Sequence, residues 1–451
     1  MAQHHPHSRL RSRRQRVDQL ARPVQQFMAT ESASSIVLLV GALLALVWAN
    51  SPWLHSYDRL LDHHFAVAFG FWNIDQPFHF WVNDVLMVFF FFLVGLEIKR
   101  EAVIGELSDP RRVIVPIAGA LGGMLAPAII FTAIVAGRTG AHGWGIPVAT
   151  DIAFAVGVIT LAGSRVPFGL RVTLLALAIV DDIGGIVIIA VFYATGIQLA
   201  ALALAAGVLV ACYALRQLGI WYLPVYFVLG IIGWAATLES GVHATIFGVA
   251  LGLLTPWRAW HPETGFGEKM QRLTERFQDA QRVRGRAAGE EQVTVALALA
   301  KEARDHVSPL DRIVRDLTPI VAFGIAPLFA FANSGVPIDL DTLGAALQSP
   351  VTLGVFFGLL IGKPVGILLA IRLAVLMGAR LPDGVTWSGI FAMGIVGGVG
   401  FTVAQFVAQL SYTDAALLTD AKLGVMFASI AAGLIGLLAL RFVFRRSPAR
   451  T

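Results

Sequence analysis

Three aspartates and one lysine stand inside long apolar runs of this 451-residue chain: Asp151, Asp181, Asp182 and Lys363. A charge at the centre of a membrane-spanning helix costs about 2.5–3.5 kcal/mol on insertion scales. Four unrelieved charges would therefore cost about 10–14 kcal/mol. Three carboxylates against one ammonium leave excess negative charge, which an ion pair alone does not neutralise. Such a site attracts a cation or protons, and hard monovalent cations prefer oxygen ligands. Asp181 and Asp182 are neighbours in Ala178-Ile179-Val180-Asp181-Asp182-Ile183-Gly184-Gly185. Successive helical residues point about 100° apart, so one faces the site and the other lines the edge of the same cavity.

The elements that must hold these groups follow from composition. The chain is 57% hydrophobic and 14% charged, against about 25% charged in a soluble domain. Its mean hydropathy is +0.73. A soluble enzyme, a disordered chain, a collagen-like repeat and a disulfide scaffold are excluded. The lone Cys212 allows no intrachain disulfide or cysteine metal site and reads as a packing residue. The net charge of +5 lies between apolar blocks, which argues for a polytopic membrane protein and against nucleic acid as partner.

Apolar runs place spans at 35–51, 83–98, 113–136, 146–164, 170–194, 199–215, 221–237, 242–256, 318–333, 351–371, 387–410 and 421–440. A cleaved signal peptide ending at Val47-Trp48-Ala49 competes for the first run, but the long polar segment before it favours an uncleaved helix. With both tails on one side, that side receives thirty Lys and Arg. The other side receives Arg59, Arg138 and Lys422, and Lys363 is left inside a span. Cytoplasmic loops carry the positive charge, so both termini are expected in the cytoplasm. The expected parts are a cytoplasmic tail (1–34), a transmembrane domain (35–444) and a second cytoplasmic tail (445–451). Residues 52–82 are expected outside and carry a small β-hairpin over 64–72, with Gly70 at its turn. Residues 258–317 form a long charged cytoplasmic loop, partly helical, with a mobile middle near Gly285 and Gly289.

Two spans look interrupted. The fourth contains Gly145-Ile146-Pro147-Val148-Ala149-Thr150-Asp151, and the eleventh contains Gly394-Ile395-Val396-Gly397-Gly398-Val399-Gly400-Phe401-Thr402. They run in opposite directions, which suggests inverted repeats crossing at the bilayer midplane. Broken helix ends there carry partial charges that Asp151 and Lys363 can balance. The fold is thus an all-α integral membrane protein of about twelve transmembrane helices with inverted repeats, two interrupted helices and a small extracellular β-hairpin.

Several local sequences resemble the bacterial NhaA-type sodium–proton antiporters, and the similarity covers most of residues 24–443. They are Phe91-Phe92-Leu93-Val94-Gly95-Leu96-Glu97-Ile98-Lys99-Arg100-Glu101, Ala149-Thr150-Asp151-Ile152-Ala153-Phe154-Ala155 and Ala176-Leu177-Ala178-Ile179-Val180-Asp181-Asp182. Two more are Ser240-Gly241-Val242-His243-Ala244-Thr245 and Ile361-Gly362-Lys363-Pro364-Val365-Gly366. Antiporters of this type are a known example of inverted repeats with broken helices. The resemblance implies that Asp181 and Asp182 bind Na+ (or Li+) and protons in competition, supported by Asp151, Thr150 and Lys363. It implies a pH response in which His243, Glu97, Arg100 and Glu101 are candidates. It also implies a homodimer held partly by the hairpin, a place in the bacterial inner membrane, and no cofactor. One departure stands out. The family pattern Ser-Pro-x-x-Arg-Leu-Glu-His reads Ser308-Pro309-Leu310-Asp311-Arg312-Ile313-Val314-Arg315 here, so Val314 replaces the glutamate.

The expected activity is electrogenic, pH-regulated exchange of cytoplasmic sodium for external protons by alternating access, serving sodium and pH homeostasis. No Gly-x-x-x-x-Gly-Lys-Ser/Thr loop is present, which argues against an ATP-driven pump. Two alternatives stay open from sequence. A sodium-coupled solute symporter would need a further pocket. An intramembrane aspartyl protease would need Asp151 and Asp181 to face one another.

Overall fold

The computed structural model describes residues 33–69, 72–109, 112–220, 222–258, 265–282 and 286–445. Hydrocarbon offers backbone groups no partners, so a spanning segment must satisfy them internally, and the described chain is mostly helical. In chain order the helices begin with α1 (Ala33–Ala49), α2 (Leu54–Leu61), α3 (Phe78–Ile104), α4 (Ile114–Val135), α5 (Ile152–Ala162) and α6 (Phe168–Phe192). Next come α7 (Leu199–Gln217), α8 (Leu223–Glu239), α9 (Thr245–Leu254), α10 (Phe266–Arg282), α11 (Arg286–Asp305) and α12 (Pro309–Ser334). The last are α13 (Leu340–Ala346), α14 (Pro350–Leu376), α15 (Trp387–Gly397), α16 (Phe401–Ser411) and α17 (Ala415–Val443). Among the described residues, seven helices are long and apolar enough to cross a membrane, or nine spans if two bent pairs each count as one. The bent pairs are the 3-10 segment Ala141–Val148 with α5, at 41°, and α15 with α16, at 49°. Each expected span falls on a helix or a bent pair. Three fall on the shorter α1, α8 and α9, so length and apolarity alone give seven to nine.

Between α2 and α3 lies the hairpin, β1 (His64–Phe69) antiparallel to β2 (Trp72–Pro77), with His64 opposite Pro77. It extends five residues beyond the expected Trp72. The expected turn residue Gly70 lies outside the described residues.

Three boundaries correct the sequence reading. Helix α12 begins at Pro309, capped by the Ser308 hydroxyl, which accepts from the Asp311 N–H at 3.0 Å. The charged connection is therefore shorter than 258–317. It folds into a helical hairpin of α10 and α11, tied by Lys269–Glu302 (2.6 Å) and Arg276–Glu291 (2.5 Å). Gly289 lies inside α11, so the mobile middle expected there is helix instead; Gly285 lies outside the described residues. Helix α17 begins at Ala415, where Asp414 accepts from two backbone N–H groups. Lys422, counted with the outer loops although the expected span began at 421, stands within this long apolar helix.

Two large apolar clusters flank the middle of the bundle. In α6, Leu170, Leu174 and Leu177 join one cluster and Ile189 the other, with Asp181 and Asp182 between. In α14, Val351, Val355 and Leu359 join one cluster and Ile367 and Ile371 the other, with Lys363 between. The charged residues thus form a belt between two apolar plugs. Helices α4 and α14 approach so closely that a Cβ on Gly122 or Gly366 would strike the other's carbonyl oxygen, a small-residue contact typical of helix packing in lipid.

Candidate functional site

The belt is organised by the breaks in the two bent pairs. Asp151 caps α5, its Oδ1 accepting from the Phe154 N–H at 3.0 Å. Its Oδ2 accepts from the Thr402 N–H at 3.1 Å and from the Thr402 hydroxyl at 2.6 Å. One carboxylate therefore serves the positive N-terminal ends of both α5 and α16, where negative charge is favoured. The Asp151 N–H donates to the Val399 carbonyl at 2.7 Å, which ties the two breaks to each other. Glycine is required for this approach: a Cβ on Gly400 would lie 2.9 Å from the Ala149 carbonyl oxygen.

Thr150 works at the opposite pole. Its hydroxyl donates to the Gly397 carbonyl at 2.9 Å, in the last turn of α15, and accepts from Lys363 Nζ at 2.8 Å. The ammonium thus meets a negative helix C-terminus through one hydroxyl. Lys363 follows directly on Gly358–Gly362, a stretch of wider π-helix within α14. Such bulges are frequent at functional sites, and this one changes the phase of the helix just before the lysine.

Lys363 also donates to Asp181 Oδ2, and both side chains are fully buried. The other oxygen, Asp181 Oδ1, is buried and accepts no hydrogen bond among the described residues. Asp182 is 9% exposed and has no hydrogen-bond partner among the described residues. Both neighbours are buried, Asp181 fully and Asp182 nearly so. The carboxylates close enough to act on Asp182 electrostatically are Asp181, Glu97 and Asp151. An unused buried oxygen beside a second, nearly buried carboxylate offers hard ligands to a monovalent cation, and the same lone pairs take protons.

The structure brings Asp151, Thr150, Asp181, Asp182 and Lys363 into one region. Lys363 pairs with Asp181, while Asp151 is occupied by the two helix N-termini. Asp151 and Asp181 therefore do not form the facing dyad an aspartyl protease needs. The candidate pH-response residues lie elsewhere. On the last turns of α3, Arg100 reaches Asp311 of α12 at 3.5 Å, and Lys99 donates to the Leu253 carbonyl at 2.5 Å. Glu97 and Glu101 are half-buried on the same turns. Val314, in the place of the family glutamate, packs among Leu93, Val321 and Ile325. His243 sits 4.0 Å from Asp84 of α3, with its ring edge against Phe406 of α16. Sequence reasoning missed Asp84, a carboxylate inside a spanning helix. The signal was available, since the span drawn from 83 already contained it.

Comparison with known proteins gives the family. The family description "Na+/H+ antiporter 1" matches residues 25–440. The Na(+)/H(+) antiporter NhaA 2 of Sorangium cellulosum is 45% identical over 428 residues, covering 95% of this chain and 91% of that protein. The NhaA 2 antiporter of Myxococcus xanthus is 42% identical over 437 residues, covering 96% and 92%. The NhaA antiporter of Oleidesulfovibrio alaskensis is 41% identical over 440 residues, covering 97% of each chain. Members of this family are transporters rather than enzymes. A match over nearly the whole length, on a bundle of apolar helices with a buried carboxylate belt, places the chain in the Na+/H+ antiporter family as a membrane-embedded, multi-pass sodium–proton exchanger.

Proposed function

We propose that Asp181 and Asp182 are the groups for which sodium (or lithium) and protons compete. The observation that carries this is the buried, unused Oδ1 of Asp181, next to the nearly buried Asp182, which has no hydrogen-bond partner among the described residues. Sodium entering at Asp182 takes both carboxylates as oxygen ligands and displaces Lys363 from Asp181. A doubly charged empty site is costly to move past a low-dielectric barrier. A site neutralised by sodium or by protons crosses more readily. Apolar plugs on both sides of the belt suit alternating access, in which one plug opens at a time.

Two protons leave as one sodium binds: one from Asp182, and one from Asp181 or from Lys363. Each cycle then carries one net positive charge, so the exchange is electrogenic. Both termini lie in the cytoplasm of a bacterial cell, the chain spans the inner membrane twelve times, and the bent pairs belong to inverted repeats crossing at the midplane. The hairpin of β1 and β2 lies outside and contributes to a homodimer. Glu97, Arg100, Glu101 and His243 tune the response to pH, so that exchange of cytoplasmic sodium for external protons serves sodium and pH homeostasis.

The direct test is proton release from purified protein while sodium is titrated in weakly buffered detergent solution. About two protons per bound sodium are expected from the wild type. Undiminished release from Asp182→Asn would refute the assignment.

A further inference from the structure

A second polar constellation lies away from the carboxylate belt. Asn83 of α3, Gln409 of α16 and Asn333 of α12 form a closed ring of amides. The Asn83 amide donates to Gln409 Oε1 at 2.7 Å, Gln409 Nε2 donates to Asn333 Oδ1, and Asn333 Nδ2 donates to Asn83 Oδ1 at 2.8 Å. His79 lies against it, with Nε2 at 3.2 Å from Asn333 Oδ1 and 2.9 Å from Asn83 Nδ2. One turn inward on α16, Gln405 pairs with the Ser334 hydroxyl at 3.4 Å. Asn83, Asn333, Ser334 and Gln405 are all buried.

The placement is more telling than the bonds. Thr402, Gln405 and Gln409 recur at helical spacing along one face of α16. Thr402 is the residue bonded to Asp151, so a polar stripe runs from the belt to the amide ring. At about 1.5 Å per residue, the ring lies about 10 Å from Thr402 along the helix. It joins α16, whose first turn belongs to the site, to α3 and α12, neither of which supplies a residue to the Asp151–Asp181–Lys363 contacts. Interhelical hydrogen bonds in lipid are individually weak, so such a ring can part within a transport cycle. When it parts, three amide oxygens lose their donors and become free ligands for a hard cation.

We propose that this amide ring is the extracellular gate of the exchange route, shut by amide-to-amide hydrogen bonds and, when open, offering its carbonyl oxygens to a sodium ion passing between Asp181 and the outside. The assignment of the outer face rests on the topology given under Proposed function, in which the start of α3 and the ends of α12 and α16 face outward.

The test uses Gln405→Cys as a reporter beneath the ring, in full-length protein carrying Cys212→Ala, in right-side-out and inverted vesicles with a membrane-impermeant thiol reagent. Adding Asn333→Ala should speed labelling from outside at least about tenfold, with little change from the cytoplasmic face. Gln409→Leu, which keeps the bulk and removes the amide, should act in the same direction and serves if Asn333→Ala does not reach the membrane. The apparent KM for external sodium should change in these variants while that for cytoplasmic sodium does not. Unchanged outside labelling in correctly inserted variants, or faster labelling only from the cytoplasmic face, overturns the gate. Labelling needs no turnover, so a failure of the carboxylate assignment appears only in the exchange and proton-release assays.

Discussion

Removing Lys363 isolates the energetic core of the site. Its ammonium is fully buried between Asp181 and Thr150. Truncation in Lys363→Ala leaves the Asp181 carboxylate buried without its counter-charge and removes the donor from which Thr150 accepts. Breaking one partner of a buried ion pair costs about 3–5 kcal/mol, a factor of about 10² to 10³·⁵ in the folded-to-unfolded ratio at 1.4 kcal/mol per decade. Removing the charge of both partners leaves no uncompensated buried charge, which is the main cost of breaking such a pair. The double variant Lys363→Ala/Asp181→Asn should therefore regain most of the stability that Lys363→Ala loses, while remaining inactive. The assay is the thermal midpoint of the four proteins in one detergent, closed as a double-mutant cycle. Lys363→Arg keeps the charge and should lie between wild type and Lys363→Ala. Two results would refute the reasoning: a Lys363→Ala midpoint equal to wild type, or a double variant whose loss is the sum of the singles.

Asp181→Asn should abolish sodium-driven proton movement in everted vesicles while reaching the membrane at normal levels; retained exchange contradicts a carrier role for this carboxylate. Acid should inhibit transport by proton occupancy of the same oxygens, so saturating sodium should move the activity profile to lower pH. A profile insensitive to sodium would assign the threshold to a separate switch such as His243 or Glu101. In liposomes at equal pH, an imposed potassium–valinomycin potential should drive sodium in a direction set by its sign, since each net charge gains about 2.3 kcal/mol per 100 mV. Sodium movement indifferent to that potential means one-for-one exchange.

The carboxylate belt was legible because charge in an apolar run is expensive, and Asp151, Asp181, Asp182 and Lys363 each stand out singly. The breaks were legible because Pro147, Gly397, Gly398 and Gly400 interrupt otherwise continuous spans. The amide ring was not. Asn83, Asn333 and Gln409 lie up to 326 positions apart, and a neutral amide in a helix carries too small an insertion cost to mark it. The helical hairpin of α10 and α11 was read as only partly helical with a mobile middle, because glycine and dense charge resemble a linker until the two faces meet.

Sequence by itself determined the class of molecule, the alternation of its positive loops and the residues able to bind a cation or a proton, because these depend on burial cost and charge summed along the chain. Tertiary structure decided the pairing. It gave Lys363 to Asp181 and Asp151 to two helix N-termini, left Asp181 Oδ1 unused, and closed three amides from three helices into a ring. Those choices turn on distances of about 3 Å between helices remote in sequence, which neither periodicity nor composition encodes.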